Sequence, residues 1–380
     1  MDKAEFKKSL LKIAFKPLTL LNMIKKKDKR LIFFYSNLGF RDNVKAFYDF
    51  LIEHNYNEKF YIVVSINDYE EYQFNSPKHV KFVNNKEGIK YFLKAKYAFY
   101  CFGKYPIKPA KNQMVVNLWH GTPLKRIGNL EDGKEQVDYN FFTKVVASSP
   151  MYQPIMADIF GCREEDVDVL GNPRNDEMFK VNQILDTAIL RGARRLIVWL
   201  PTYREFNDNM LVPLLTNDEL EDLNQFLRTK NWRMIIKLHP LQEASLSDMK
   251  YSHIDIYNEK QLKDNDMSVY TILRNADALI TDYSSVFFDY LMLDRPIAFV
   301  TEDFEEYKEK RGFIFDKPED FMPGPIIKDL EHMKNFLSSV DYGIDTYRDD
   351  RHEVNAMVNT YNDGRSAMRI AANYLDNEDN

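Results

Sequence analysis

At 380 residues the chain is too long for one ordinary core and suits two domains. Apolar residues make up 44%, enough for sizeable cores, and the two cysteines, Cys101 and Cys162, cannot build a disulfide framework, which points to a reduced, cytoplasmic chain. The net charge of −6 is uneven: residues 1–30 hold nine lysines, one arginine and three acids, so the remainder carries −13, which argues against nucleic acid as a partner.

In chain order, residues 1–30 read as a basic amphipathic leader. Phe6, Leu10, Ile13 and Phe15 share one helical face, Pro17 interrupts it, and "LTLLNMI" follows. Such a segment suits either an anionic membrane surface or packing on its own domain. No long uncharged apolar run marks a transmembrane helix, and no small-residue cleavage site marks a signal peptide.

Residues 31–180 alternate β-rich runs with helical patterns. "LIFFYS", "FYIVVSI", "HVKFV", "YAFYCF", "MVVNLW" and "KVVAS" predict strands, with helices such as "VKAFYDFLIEH" and "KEGIKYFLKA" between them. Residues 181–350 repeat the alternation with "RLIVWL", "RMIIKL", "IDIY", "ADALIT" and "PIAFV", separated by helices such as "NDELEDLNQFLRT" and "SVFFDYLML". Residues 351–380 read as one or two further helices. This pattern predicts two α/β domains in tandem, each a parallel sheet covered on both faces.

Ligands of open α/β sheets bind beyond the carboxyl ends of the strands, so polar residues at strand exits are the informative ones. The first such exit is "NLWHGTPLKRIG", where His120 precedes a Thr122–Pro123 helix start, with Lys125 and Arg126 beyond it. The positive end of that helix favours an anion and a neutral imidazole, the form a general base needs. "ASSP" reads as a capped helix start. "LGNPRND" places Asn172 in a turn and Arg174 ready for an anion, or simply exposed. Thr202 and Arg204 in "WLPTYRE" and His239 in "IIKLHP" follow strands directly. In "LITDYSSVFFDYLMLDRP", Asp282, Ser284 and Ser285 stand between a strand and an apolar helix, with Ser284 as the expected N-cap, and Asp289 faces a cleft or solvent.

Taken together the six exits describe a cleft for an anionic ligand. Neither a dinucleotide fingerprint, a P-loop, a nucleophile elbow nor zinc-like spacing occurs. The triplets Asp166–Asp168 and Asp264–Asp266 sit at no confident strand exit, so no metal and no cofactor are expected. Cationic side chains and helix starts then neutralise a leaving phosphate.

The motifs "NLWHGTPLKRIG", "LGNPRND", "PTYRE", "KLHP", "TDYSSVFFDYLMLDRPIAF", "MPGPI" and "DGRSAMRIAANYL" together resemble the CDP-glycerol glycerophosphotransferase family, which includes teichoic acid primases and polymerases. The resemblance runs from about residue 115 to 375. It implies an α/β GT-B fold, two Rossmann-like domains facing across a cleft: an acceptor domain over 31–180 and a CDP-donor domain over 181–350. It also implies transfer of glycerol phosphate from CDP-glycerol to a hydroxyl of a polyprenyl-linked or polysaccharide acceptor, with release of CMP, at the inner membrane surface. By the same resemblance His120 is the general base, and His239 and Arg204 contact the diphosphate. Ser284 and Ser285 hold phosphate oxygens. Asp282 orients His239 or binds donor hydroxyls, Asn172, Arg174 and Thr202 complete the donor site, and Lys125 and Arg126 face the acceptor. A CDP-ribitol donor, or a GT-B glycosyltransferase using a nucleotide sugar, are the alternatives.

Overall fold

The computed structural model describes residues 15–201, 214–238, 251–265 and 267–376. They form two compact units. The first runs up to Gly121, continues through Gly128–Asp176 and is completed from Asp363 onward; the second holds Thr122–Ile127 and Glu177–Asn362.

The first unit carries β1 (Asp28–Tyr35), β2 (Tyr61–Ser65), β3 (Val80–Val83), β4 (Ala95–Tyr100), β5 (Met114–Asn117), β6 (Lys144–Ala147) and β7 (Val167–Val169). They pair in parallel in the order β3-β2-β1-β4-β5-β6-β7. This is a doubly wound sheet, whose order reverses between β1 and β4. Ile32, Phe33 and Phe34 are all fully buried, as a strand covered on both faces requires. Helix Asp42–Glu53 covers one face with Val44, Phe47, Tyr48 and Leu51, the i, i+3, i+4, i+7 stripe of an amphipathic helix. The same core takes Ala367, Ile370, Ala371 and Tyr374 from the C-terminal end of the chain.

The second unit carries β8 (Arg195–Trp199), β9 (Trp232–Lys237), β10 (Ile254–Tyr257), β11 (Ala278–Thr281) and β12 (Ile297–Phe299), in parallel order β10-β9-β8-β11-β12. Its order reverses between β8 and β11. Helix Asn217–Lys230 starts on a reciprocal Thr216–Glu219 capping box and buries Leu220, Leu223 and Leu227. Helix Leu330–Tyr342 is capped by Asp329 and buries Met333, Leu337 and Val340 in the same core.

The expected strands recur within a few residues of their predicted places, and β7 is an addition. It is three residues long and carries Asp168 at its centre, so its apolar signal is weak. Asp168 accepts the Tyr374 hydroxyl at 2.6 Å. The division of the chain also departs from the sequence expectation. It falls at Asp176, helix Arg348–Val358 stays in the second unit, and the last residues return to the first. Pro17 lies within a helix over residues 15–24 and does not end one. That helix is tied to the first unit through Asn22, which donates to the Lys108 carbonyl (3.0 Å) and the Gln113 side chain (2.8 Å). Lys27 reinforces the tie by donating to Asn22 (2.5 Å) and to the Leu93 carbonyl (2.7 Å). Phe6, Leu10 and Ile13 lie outside the described residues.

Candidate active site

In the first unit the polar residues gather where β4, β5 and β7 end. β5 stops at Asn117, whose side chain accepts the Trp119 amide at 3.0 Å. Trp119 has φ +53° and Gly121 φ +120°, so His120 stands between two backbone positions that L-residues rarely adopt. A bulky tryptophan held there is the kind of local strain that surrounding structure must enforce.

The His120 ring is enclosed by aromatic faces. Phe102, just past β4, stacks on it at 4.9 Å and 16°, and Trp119 lies against it at 3.8 Å. The Arg41 guanidinium sits 5.3 Å from the Phe102 ring centre. This enclosure pushes the imidazole pKa down to about 4: burial is the largest cause, and the charges of Arg174 and Arg41 act in the same direction, while Asp42 opposes them. The ring is therefore neutral at pH 7 and able to accept a proton.

Arg174 does not present itself to solvent. It is 5% exposed, and its Nη1 donates to Asp42 Oδ2 at 2.9 Å and to the His120 carbonyl at 2.7 Å. Asn43, fully buried, donates to the carbonyls of Leu118 (3.0 Å) and Trp119 (2.8 Å), and accepts the Arg174 amide (3.0 Å). Asn172 is likewise buried, and its Oδ1 lies 3.5 Å from Asn43 Nδ2. Asp176, the last residue of "LGNPRND", accepts the Ser366 and Ala367 amides at 2.9 and 2.8 Å and so caps helix Ser366–Ala371. The "LGNPRND" and "DGRSAMRIAANYL" motifs thus meet in the first unit, with Asn172 and Arg174, to which the resemblance gives a donor role, buried beside the His120 segment.

Asp42 and Asn43 were missed. They open the helix that follows β1, and applying the strand-exit rule to "SNLGFRDN" as well would have found them.

The helix expected at Pro123 does not form. Residues 122–127 belong to the second unit and lie, without a helix, beside residues 312–314. Lys125 bridges Phe313 in antiparallel register, the Ile314 amide donates to Leu124 (2.9 Å), and the Arg126 amide donates to Gly312 (3.2 Å). Backbone groups engaged in this pairing are unavailable to a helical ladder. The Lys125 ammonium lies 5.7 Å from the Tyr307 ring centre, and Arg126 Nε donates to the Phe313 carbonyl at 3.2 Å.

In the second unit Asp282 follows β11 directly and is 2% exposed. Thr281 ties this exit to that of β8 by donating to the Leu200 carbonyl at 2.9 Å, so Asp282, Ser284 and Ser285 sit where the strand order reverses. Ser285 occupies the N-cap position of helix Val286–Tyr290 with no side-chain capping bond, and Ser284 Oγ receives the Val286 amide at 3.5 Å. The expected cap is therefore one residue early and long. Asp289 faces neither cleft nor solvent: it is fully buried and accepts the Tyr270 hydroxyl at 2.9 Å. Thr202, Arg204 and His239 lie outside the described residues.

Two doubly wound parallel units with polar strand exits define a GT-B architecture. The solved structure of the wall teichoic acid polymerase TagF aligns with it at a TM-score of 0.77 over 99% of this chain and 98% of that one, at 21% identity. The chain belongs to the CDP-Glycerol:Poly(glycerophosphate) glycerophosphotransferase family, matched over residues 18–375, and is a transferase. It is 27% identical to the teichoic acid glycerol-phosphate transferase of Staphylococcus aureus, covering 90% of this chain and 92% of that protein. It is 29% identical to the teichoic acid glycerol-phosphate primase of Bacillus subtilis, over 70% and 69% of the two chains. Against the ribitol-phosphate polymerase TarK of Staphylococcus aureus, at 26% identity, the match spans 70% of this chain and about half of the relative, 53%.

Proposed function

We propose that this chain transfers glycerol phosphate from CDP-glycerol to a hydroxyl of a lipid-linked or polymeric acceptor, in synthesis of a teichoic acid or related wall or capsule polymer. The observation that carries the reading is a neutral, aromatic-enclosed His120 at a strand exit of a chain in this family. His120 takes the proton of the acceptor hydroxyl as that oxygen attacks the phosphorus bearing glycerol. The bond from that phosphorus to the bridging oxygen breaks, and CMP leaves with the electron pair.

Ser284 and Ser285 offer hydroxyls to phosphate oxygens at the β11 exit, and Asp282 stands beside them. Thr202, Arg204 and His239 keep the donor roles that the sequence resemblance gives them, with His239 a contact to the donor's diphosphate, whose bridge breaks as CMP leaves. Lys125 and Arg126 face the anionic acceptor. Asn172 and Arg174 are reassigned from donor contact to support of the His120 segment.

We place the protein at the cytoplasmic face of the membrane. Among the described residues no helix is long and apolar enough to cross a bilayer. The helix over 15–24 turns Asn22 inward and leaves Leu20 (67%), Met23 (56%) and Ile24 (82%) exposed, next to Lys16, Lys25 and Lys26. An apolar ridge flanked by cations suits an anionic lipid surface.

CDP-ribitol is the second reading, supported by the ribitol-phosphate polymerase among the relatives. Incubation with CDP-glycerol and CDP-ribitol, with product mass determination, separates the two. Absence of CMP release from either, across lipid-linked and polymeric acceptors, refutes the proposal. Thermal stabilisation by UDP but not CDP would favour a glycosyltransferase.

A further inference from the structure

Past Asn117 the chain leaves the β-ladder, and the carbonyls of Leu118, Trp119 and His120 must find donors elsewhere. They find them in two side chains from distant parts of the sequence. Asn43 donates to the first two, and Arg174 to the third. Asn43 and Arg174 are themselves joined, side-chain oxygen to main-chain amide, and Asp42 holds the guanidinium in place. Every member is buried or nearly so: Asn43 is 0% exposed, and the Arg174 and Asp42 side chains 6% and 17%. Asp42 adopts φ +60° at the start of its helix, so the brace, like the segment it holds, includes backbone in the left-handed region.

We infer that Asn43 and Arg174, braced by Asp42, are positioning residues for His120, fixing three consecutive carbonyls so that the imidazole is held in one place between Phe102 and Trp119. The inference rests on the reading of His120 as the base. A general base works only within hydrogen-bond reach of the proton it takes, and small misplacement costs rate steeply. Trp119 at φ +53° would relax without a restraint on the carbonyls either side of it. Two neutral amide bonds and one charge-assisted bond supply that restraint.

The brace also sets the charge around the ring. The charged groups acting on His120 are Arg41 and Asp42 at the start of the helix after β1 and Arg174 after β7; the Cys101 thiol after β4, beside Asp42 and Arg174, is kept protonated by burial. Replacing Arg174 by an uncharged residue removes a cation and leaves Asp42 without that partner. Both changes favour imidazolium.

The test combines kinetics with a titration that does not need turnover. The full chain is labelled with 15N-histidine, and the His120 signal is assigned by its loss in His120→Gln. Wild type should show no His120 protonation down to about pH 5. Arg174→Met should move the midpoint up by about one pH unit or more. It should also lower kcat for CMP release at least about tenfold while KM for CDP-glycerol changes less than about threefold. Arg174→Lys restores the cation, so its titration should return to wild type with kcat between the two. Asn43→Ser, which retains a single donor, should lower kcat without moving the titration.

Unchanged titration and kcat in Arg174→Met would overturn the inference. So would a loss confined to KM, because a residue that touches the donor would give that result. If Arg174→Met does not fold, Arg174→Lys and Asn43→Ser carry the same test, and wild-type kcat in both would overturn it. If the titration shifts as expected but His120→Gln turns over normally, the brace stands and the base assignment fails.

Discussion

Lowering the pH is the gentlest perturbation of His120, and the structure sets how far it must go. An ordinary histidine has a pKa near 6.5; here burial, Arg174 and Arg41 push it down to about 4. At pH 5.5 an ordinary imidazole is about 10% neutral, whereas one at 4 is about 97% neutral. Turnover that depends on the neutral base should therefore be nearly flat from pH 7.5 to 5.5 and fall only on approach to 4. The donor diphosphate is esterified at both ends and does not ionise in this window. The assay is kcat/KM for CMP release with CDP-glycerol between pH 4.5 and 8, alongside His120→Ala, which should lose at least about a hundredfold. The displacement from 6.5 to about 4 also corresponds to about 3 kcal/mol of stability. The unfolded chain binds this proton below pH 6.5 and the folded chain does not until about 4, so stability falls as pH drops through that range. An acid limb centred near 6.5, abolished in no variant but His120→Ala, would show that the ring is not enclosed as described. A near-normal rate in His120→Ala would refute its role altogether.

Asp176→Ala strips the acceptor from two buried amides at the start of helix Ser366–Ala371, and should cost the first unit about 2–4 kcal/mol. Hydrogen exchange over residues 366–376 should rise well before the second unit is affected. Gly171→Ala meets two obstacles, φ +81° and a Cβ that would lie 2.6 Å from Ser366 Oγ; a loss of about 1–3 kcal/mol in a denaturant melt is expected. Leu20→Ser with Ile24→Ser should weaken sedimentation with anionic liposomes and leave CDP binding and melting temperature unchanged, since both side chains are exposed. Full liposome binding by that double variant would remove the helix over 15–24 as the lipid contact.

Much of the architecture was legible in the residue order. β1 and β8 announce themselves because apolar, β-branched and aromatic residues run without interruption when both faces of a strand are buried. The β5 exit was legible too, since His120 follows an apolar run directly. β7 was not, because Asp168 breaks its three residues and is satisfied by a tyrosine more than two hundred positions away. The Thr122–Pro123 pair carries good helix-start chemistry, yet its segment pairs with residues 312–314, a partner that local propensity does not contain.

Arg174 shows where local reading ends. An arginine after Gly-Asn-Pro is equally fit for a phosphate or an internal carboxylate, and its choice of Asp42 depends on two strand exits, with these residues 132 positions apart, being brought together by the sheet. The sequence by itself determined the two parallel sheets and the polar strand exits, which follow from periodicity and residue order, and its motifs carried the resemblance to the family. Only the tertiary structure decided that His120 is enclosed and neutral, that Asn43 and Arg174 hold its backbone, and that the last helix closes the first unit. Those properties arise from desolvation and from hydrogen bonds between distant segments, which exist only once the chain has packed.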